Sequence, residues 1–214
     1  MKSYYERDGI TIYHGDCREI MPQVVADCVV TDPPYGIDIV RGKLPSHQRK
    51  APNQWCSRGY EPIHGDTEPF DPSLVLSLSL PTILWGANHY ASRLSDQSCW
   101  IVWDKLDGFK HNVLSDCEMA WTNLGGPARL INHRWIGYMK ASERGARYHP
   151  TQKPVAVMGW CLTMTEGSIL DPYCGSGSTL VAALQVQRNA IGIEIEEQYC
   201  EVAAKRLGQR VLPL

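Results

Sequence analysis

Short apolar segments recur along the chain, and each one stops at a proline, glycine, aspartate or asparagine. These segments predict β-strands at residues 10–14, 27–31, 81–85, 100–103, 117–122, 168–170 and 190–195. Apolar positions at helical spacing predict helices at residues 154–164, 179–187 and 196–207. Strands that alternate with helices are typical of a parallel sheet covered by helices on both faces. The pattern therefore predicts a doubly wound α/β fold, with residues 1–214 forming a single domain.

Two long segments, at about 37–72 and 123–148, lack this periodicity and are rich in basic residues. Residues 41–58 carry five basic side chains and no acidic one, and residues 129–153 carry six against Glu143 alone. The whole chain has a net charge of −2, but this local concentration is what a binding surface for a polyanion needs. The alternative interpretation is that both segments are ordinary solvated loops.

Composition narrows the class of protein. Hydrophobic residues make up 43% and charged residues 21% of the 214 residues, which is typical of a soluble globular domain. No apolar run reaches the roughly 18–20 residues of a membrane-spanning helix, and the N-terminus lacks the apolar core of a signal peptide. We therefore expect a cytoplasmic protein without membrane contact. The eight cysteines form no Cys-x-x-Cys pair, so we expect free thiols and no metal site.

A glycine-rich turn follows the predicted strand at 168–170. Gly175 and Gly177 allow the backbone to approach a ligand, and the helix that follows offers free backbone N–H groups. Glu194 ends the next predicted strand, 23 residues after Asp171, where a carboxylate can accept hydrogen bonds from both hydroxyls of a ribose. This arrangement predicts a nucleotide or nucleoside site.

Three ligands compete for this turn, beside the alternative that it only connects a strand to a helix. A phosphate-binding loop for ATP needs a lysine after the glycines, and none follows Gly177. A dinucleotide fingerprint needs a third small residue for helix–strand packing, where this chain has Leu180. A nucleoside without phosphates, such as S-adenosylmethionine, needs only the turn and the ribose carboxylate.

The tetrapeptide Asp32-Pro33-Pro34-Tyr35 follows the predicted strand at 27–31. The two prolines stiffen the turn, so a carboxylate and the carbonyl of Pro33 are held together as two acceptors for a planar amino group. Tyr35 supplies an aromatic face on which a heterocycle can stack, as flipped nucleobases do. The alternative is a rigid turn in which Asp32 is a cap and Tyr35 fills the core.

Both motifs resemble those of S-adenosylmethionine-dependent DNA amino-methyltransferases. The catalytic motif of that family is similar to Asp-Pro-Pro-Tyr-Gly at 32–36, and its cofactor motif to Asp-Pro-Tyr-Cys-Gly-Ser-Gly-Ser at 171–178. The catalytic motif comes first, as in the permuted, β-group arrangement. His-Pro-Thr-Gln-Lys-Pro at 149–154 resembles a further cofactor motif, and Gly-Ile-Glu at 192–194 the ribose-binding strand. Gly15-Asp16 resembles the acidic turn that faces the adenine of the cofactor.

The resemblance implies a Rossmann-like methyltransferase sheet, mostly parallel with one antiparallel strand. It implies S-adenosylmethionine as cofactor and DNA as partner, recognised through the basic segments at about 37–72 and 123–148. The catalytic residues that it implies are Asp32, Pro33, Pro34 and Tyr35. The cofactor-binding residues that it implies are Asp16, Lys153, Asp171, Gly175, Gly177 and Glu194. The chain departs from the family at Tyr173 and Ser178, where phenylalanine and threonine are usual.

The implied reaction is methyl transfer to the exocyclic amine of a DNA base. In the family, an aspartate at the start of the tetrapeptide usually accompanies adenine and a serine accompanies cytosine, so Asp32 favours adenine N6. Cytosine N4 is the first alternative. Methylation of RNA or of protein glutamine, and a non-catalytic nucleic-acid binder, are more distant ones. The chain is expected to act as a monomer or homodimer.

Overall fold

The apolar segments assemble side by side into one central sheet, and the observed strands follow the predicted ones closely. The computed structural model describes residues 1–39, 62–108, 115–136, 139–143 and 148–209. The strands of the central sheet are β1 (Tyr5–Arg7), β2 (Ile10–His14), β3 (Cys28–Thr31), β4 (Thr82–Trp85), β5 (Trp100–Asp104), β6 (Cys117–Thr122), β7 (Arg129–Asn132), β10 (Ile169–Asp171) and β11 (Ala190–Glu194). Two short strands, β8 (Trp135–Ile136) and β9 (Met139–Lys140), pair separately.

The nine strands lie in the order β1-β2-β11-β10-β3-β4-β6-β5-β7. The five consecutive strands β2, β11, β10, β3 and β4 are parallel to one another, and β5 is parallel to β7. The strand β6 runs antiparallel to both of its neighbours, β4 and β5. The prediction of a mostly parallel sheet with one antiparallel strand is therefore confirmed by β6, and the three-residue edge strand β1 adds a further antiparallel pairing, with β2, that was not predicted.

Helices cover both faces of the sheet. The helices are α1 (Cys17–Ile20), α2 (Ser73–Leu76), α3 (Val155–Leu162), α4 (Ser178–Gln185) and α5 (Glu197–Gly208). In β3, Cys28 and Val30 join the core formed with α3, α4 and α5, whereas Val29 joins the core formed with α1 and α2. Strands buried on both faces explain why the sequence shows continuous apolar runs instead of alternation. The doubly wound architecture is confirmed, and no described helix is long and apolar enough to cross a membrane.

The segment 123–148 differs from its prediction as an irregular loop. Its described residues include β7, β8 and β9. Three of the four side chains of β7 are exposed, because this strand lies at the edge of the sheet, so it carries no apolar run for a sequence pattern to detect. Its pairing with β5 comes from backbone hydrogen bonds, which every residue except proline can donate whatever its side chain.

Candidate active site

Parallel strands bring the predicted site residues to one edge of the sheet. Asp32 follows β3, Gly175 lies in the turn after β10, Glu194 ends β11, and Asp16 follows β2. All four line one cavity of about 630 Å³ at the carboxyl ends of these strands, where open α/β sheets bind their ligands. The catalytic tetrapeptide and part of the glycine turn, far apart in the sequence, thus face the same space.

At one end of the cavity, Asp32 is held by two donors. Its Oδ1 oxygen accepts hydrogen bonds from the Tyr35 hydroxyl at 2.5 Å and from the Lys153 ammonium at 2.7 Å. Lys153 also donates to the Tyr35 hydroxyl at 2.8 Å, so the three side chains form a closed triangle. Pro33 and Pro34 line the same cavity. The predicted catalytic residues are therefore together, and Lys153, predicted as a cofactor ligand, joins them through its ammonium.

Glu118 extends this cluster, and it was not among the predicted site residues. Its Oε2 oxygen lies 2.8 Å from the Lys153 ammonium, and its Oε1 oxygen accepts a hydrogen bond from Lys105 at 3.1 Å. Glu118 reaches the site because β6 runs against its neighbours, so its first residues lie beyond the last residue of β4, Trp85. The one signal in the sequence was a charged residue inside an otherwise apolar strand.

Burial and charge act in opposite directions on these groups. Burial raises the pKa of Asp32, and the Lys153 ammonium opposes the shift only in part. Burial also acts to raise the pKa of Glu118, but Lys153 and Lys105 outweigh it and hold that pKa at about 2. The pKa of Lys153 is raised, since Asp32 and Glu118 outweigh the effect of its own burial. Glu118 is therefore an anion and Lys153 a cation at neutral pH.

The ring of Tyr35 is packed on a second aromatic ring. It stacks on His89 with the centroids 5.0 Å apart and the planes 16° from parallel. Gly86 has a φ of +70°, and a Cβ there would collide with the Tyr35 ring. His89 is exposed and lines the cavity, and burial of part of the ring lowers its pKa. His89 was also missed in the sequence, because its position depends on the turn after β4.

Asp66 fixes the backbone that follows the tetrapeptide. Its carboxylate accepts hydrogen bonds from the backbone N–H groups of Gly36 at 3.0 Å, Ile37 at 3.3 Å and Ile39 at 2.7 Å. The residue is 3% exposed. A carboxylate with three backbone donors holds a loop strongly, so Asp66 restrains the start of the first basic segment against the site.

The glycine turn and Glu194 form the other end of the cavity. The Oε2 oxygen of Glu194 accepts the backbone N–H of Gly175 at 2.8 Å, and its Oε1 oxygen accepts that of Glu196 at 2.8 Å. Burial raises the pKa of Glu194 to about 7, against the effect of these hydrogen bonds. A Cβ on Gly175 would meet only His149, 4.0 Å away. The turn therefore presents open backbone and a buried carboxylate to a ligand.

Two predicted cofactor residues do not line this large cavity. Asp171 is 2% exposed and accepts hydrogen bonds from the Thr31 hydroxyl at 2.6 Å and from the backbone N–H of Tyr173 at 3.2 Å. Gly177 adopts a φ of +79°, and a Cβ there would lie 2.8 Å from that of Ala203 in α5. Both residues shape the turn from within the protein, so any effect on the cofactor is exerted through the turn.

Asp16 has its carboxylate already occupied. It caps α1 by accepting the backbone N–H of Arg18 at 2.9 Å, and it forms an ion pair with the Arg18 guanidinium. Hydrogen bonds from the Arg18 side chain are the largest cause of the lowered pKa of Asp16. The backbone N–H of Gly15 donates to the backbone carbonyl of Glu194 at 2.9 Å. This hydrogen bond fixes the Gly15-Asp16 turn to the end of β11, where Glu194 lies.

The basic segments are described only in part. Residues 41–58, and Arg144 and Arg147 of the second segment, lie outside the described residues. Lys153 was one of the six basic residues counted over 129–153, but its side chain is 5% exposed and ion-paired, so it is unavailable to a polyanion. Arg129 on β7 is exposed. The count of six basic residues therefore overstates the surface charge of that segment.

Glu143 ties the second basic segment to the core. It accepts hydrogen bonds from the Arg206 guanidinium at 2.8 Å, the Gln152 amide at 3.0 Å and the backbone N–H of Val155 at 2.8 Å. Arg206 is 6% exposed and also donates to the carbonyl of Ser176 at 2.6 Å. The lone acid of the segment is thus a structural anchor beside the glycine turn.

Fold and site together define a class: an α/β enzyme with one cavity lined by both the glycine turn and the Asp-Pro-Pro-Tyr tetrapeptide. A family model for N6/N4 methyltransferases, described as DNA methylase, matches residues 82–205. The chain belongs to this family, the S-adenosylmethionine-dependent DNA amino-methyltransferases.

Relatives along nearly the whole chain agree with this assignment. The chain is 42% identical to the type II methyltransferase M2.LlaDCHI of Lactococcus lactis subsp. cremoris, over 97% of this chain and 93% of that protein. It is 48% identical to the putative methylase YubD of Escherichia coli, over 90% of this chain and 88% of that one. The fold is similar to that of the cytosine-N4-specific PvuII DNA methyltransferase, with a TM-score of 0.62 at 14% identity, over 99% and 91% of the two chains.

Proposed function

We propose that this protein transfers the methyl group of S-adenosylmethionine to N6 of adenine in DNA. The observation that carries the proposal is the single cavity that joins the tetrapeptide to the glycine turn. Its volume of about 630 Å³ lies within the range of pockets that hold small ligands, about 300–1,000 Å³. One cavity lined by both motifs can hold a cofactor and a base in contact, which methyl transfer requires.

The end of the cavity at the glycine turn fits a nucleoside cofactor. Gly175 leaves open space where a side chain would point, and the carboxylate of Glu194 lies at the wall beside it. Glu194 would accept the ribose hydroxyls, while Asp16 would face the adenine of the cofactor. Asp171 and Gly177 would support the turn. The bound cofactor supplies a methyl group that is already activated by a cationic sulfur.

At the other end, the chain must make an exocyclic amine nucleophilic. The lone pair of that amine is delocalised into the base. Hydrogen bonds from its two N–H groups to Asp32 and to the carbonyl of Pro33 would favour a tetrahedral nitrogen that can attack the methyl group in line. The N–C bond would form as the methyl–sulfur bond breaks, the electron pair would stay on the sulfur of the departing thioether, and the nitrogen would then lose one proton to solvent. Positioning and stabilisation of the developing positive charge supply the catalysis. Cys174 is buried, and burial raises its pKa well above its ordinary value, so this cysteine of the glycine turn is a packing residue and not a thiolate nucleophile.

The choice of adenine rests on Asp32, since an aspartate at the first position of the tetrapeptide usually accompanies adenine in this family. The target base must leave the helical stack to enter the cavity. The stacked rings of Tyr35 and His89 form an aromatic wall beside Asp32, against which a flipped base can lie. The basic segments would supply phosphate contacts that do not depend on sequence.

The test is the identity of the methylated nucleoside. Unmethylated genomic DNA is incubated with the protein and cofactor carrying a trideuterated methyl group, then digested and analysed by mass spectrometry. Trideuterated N6-methyladenine is the expected product. N4-methylcytosine without N6-methyladenine would overturn the choice of base, and the absence of any labelled nucleoside would overturn the proposed activity.

A further inference from the structure

Four charged side chains that line the cavity form an unbroken row that ends at the tetrapeptide. In order they are Lys105, Glu118, Lys153 and Asp32, joined by contacts of 3.1, 2.8 and 2.7 Å. Their signs alternate, and none of the four side chains is more than 25% exposed. Charges with so little exposure to solvent cost free energy unless each one is balanced, so these four side chains have to be considered together.

Lys153 lies between the tetrapeptide and Glu118. Its ammonium donates hydrogen bonds to Asp32 Oδ1 at 2.7 Å and to the Tyr35 hydroxyl at 2.8 Å, and it forms an ion pair with Glu118 Oε2 at 2.8 Å. The side chain is therefore placed to orient the tetrapeptide.

The two oxygens of Asp32 differ in their surroundings. Oδ1 accepts from Tyr35 and Lys153, whereas no hydrogen bond to Oδ2 is found among the described residues. The sequence contributes to this difference, because Pro33 and Pro34 lack the backbone N–H groups that commonly bind an aspartate at the start of a turn. Asp32 lines the cavity, so one oxygen is anchored and the other remains available to a ligand.

We propose that Lys153 and Glu118 are positioning residues for Asp32. Lys153 anchors Oδ1 so that Oδ2 meets the target amine, and Glu118 balances the positive charge that Lys153 brings close to the reacting nitrogen. This inference rests on the proposed function, because the nitrogen becomes positive only if it accepts a methyl group. An unbalanced ammonium beside that nitrogen would disfavour the transition state.

Other titratable groups on the surrounding elements face these four charged side chains. They are Tyr35, His89, Tyr90, Cys161 and Asp171. None of them can replace the carboxylate of Glu118 as a partner of Lys153 and Lys105, because none is within an ion-pair contact of those ammonium groups. A change in charge at Glu118 therefore reaches Asp32 through Lys153, which contacts both carboxylates.

The direct test is Glu118→Gln, which removes the charge and keeps the shape. At saturating cofactor we expect kcat to fall about 10- to 100-fold, as for one unbalanced charge several ångströms from the reacting atom. Loss of a nearby anion lowers the pKa of Asp32, so the acid limb of the pH–rate profile should move to lower pH. A loss of rate together with this acid shift separates a charge effect from general damage to the site.

A double-mutant cycle tests whether Glu118 acts through Lys153. In a Lys153→Met background, Glu118→Gln should change kcat by less than about threefold, because the charge that it balances is gone. Glu118→Asp, which keeps the charge, should lose less rate than Glu118→Gln. Glu201→Gln is the matched control, since Glu201 is an exposed member of an ion pair on α5.

A second variant and a substrate-free measurement complete the design. Lys105→Gln removes a cation from the other side of Glu118, so the acid limb should move to higher pH, the opposite direction. NMR titration of the Asp32 carboxyl in the free protein, assigned with Asp32→Asn, should show a lower pKa in Glu118→Gln.

Wild-type kcat in folded Glu118→Gln, or equal losses in both backgrounds of the cycle, would overturn the positioning role. If Glu118→Gln does not fold, an unshifted acid limb in Lys105→Gln overturns it instead. Failure of the proposed function gives a different result: the wild-type protein then methylates another base or none. The NMR titration does not depend on activity, so it still measures the coupling of Glu118 to Asp32 in that case.

Discussion

Two carboxylates of the site, the partly buried Asp32 and the buried Glu194, lie in contrasting surroundings. Asp32 is held by a tyrosine hydroxyl and an ammonium group, whereas Glu194 is held by backbone N–H groups alone. A carboxylate without a cation is more easily protonated when it is buried, which is why the pKa of Glu194 rises to about 7. Binding at Glu194 should therefore depend on pH in the neutral range.

Substitution of Glu194 tests its assignment to the cofactor. Glu194→Ala should weaken S-adenosylmethionine binding by about 1–3 kcal/mol, because hydrogen bonds to a charged acceptor are lost. Isothermal calorimetry measures the affinity, with Glu201→Gln as the control. An unchanged affinity in a folded variant would remove Glu194 from the cofactor site.

The pH dependence of cofactor binding gives an independent check. The ionised carboxylate accepts the ribose hydroxyls better than the protonated acid, so affinity should fall as the pH drops through about 7, the pKa of Glu194. In Glu194→Gln this dependence should disappear. Calorimetry from pH 5.5 to 8.5 shows the difference, and an identical slope in both proteins would contradict it.

At the residue scale, the sequence predicted those parts of the site that are local in the chain. Asp32, Tyr35 and Gly175 belong to short motifs whose chemistry depends on adjacent residues, and all three line the cavity. Glu118 and His89 could not be predicted in this way, because each acquires its partner through the sheet. Lys153 was placed with the cofactor by its motif, and only the structure relates its ammonium to Asp32.

At the element scale, the junction of the glycine turn with α4 depends on one backbone conformation. Gly177 precedes α4 with a φ of +79°, and its N–H donates to the carbonyl of Cys174 at 2.7 Å. It also lies against Ala203 of α5. The position therefore combines a left-handed backbone with a close approach between two helices, and only glycine satisfies both.

Gly177→Ala should destabilise the fold by about 3 kcal/mol, the sum of left-handed strain and overpacking against Ala203. Gly125→Ala is the matched control, since Gly125 has a φ of +72° but nothing within 4 Å of its hypothetical Cβ. It should cost only the strain, about 1 kcal/mol. Urea denaturation measures both values, and equal losses would show that the contact with Ala203 contributes nothing.

The elements themselves were predictable to different degrees. Strands β3, β4, β10 and β11 are buried on both faces, so their apolar runs are visible in the sequence. The strands β7, β8 and β9 are short or exposed, and tertiary pairing decides their structure. The orientation of β6, which delivers Glu118 to the site, is likewise set by its neighbours and has no local signature.

At the scale of the whole molecule, the uneven charge of the chain predicts how it binds DNA. Arg49 and Lys50 lie in the first basic segment, outside the described residues. If both contact phosphates, replacing them with alanine should reduce the slope of log affinity against log salt by about one to two units, because fewer counterions are released. Fluorescence anisotropy at several salt concentrations gives the slope.

Arg7→Gln is the control for this measurement, since Arg7 is on the edge strand β1 and pairs with Asp8 at 3.1 Å. Its slope should equal that of the wild-type protein. An unaltered slope in the double variant would place the phosphate contacts elsewhere on the molecule.

The central claim is that one cavity brings the activated methyl group to an amine held by Asp32. Single-turnover methyl transfer to DNA by Asp32→Ala, at saturating cofactor and DNA, tests it most directly, because binding no longer limits the rate. The account predicts a loss of about three orders of magnitude in the rate of transfer, since an interaction made in the transition state is removed. Transfer by Asp32→Ala at the wild-type rate would contradict it.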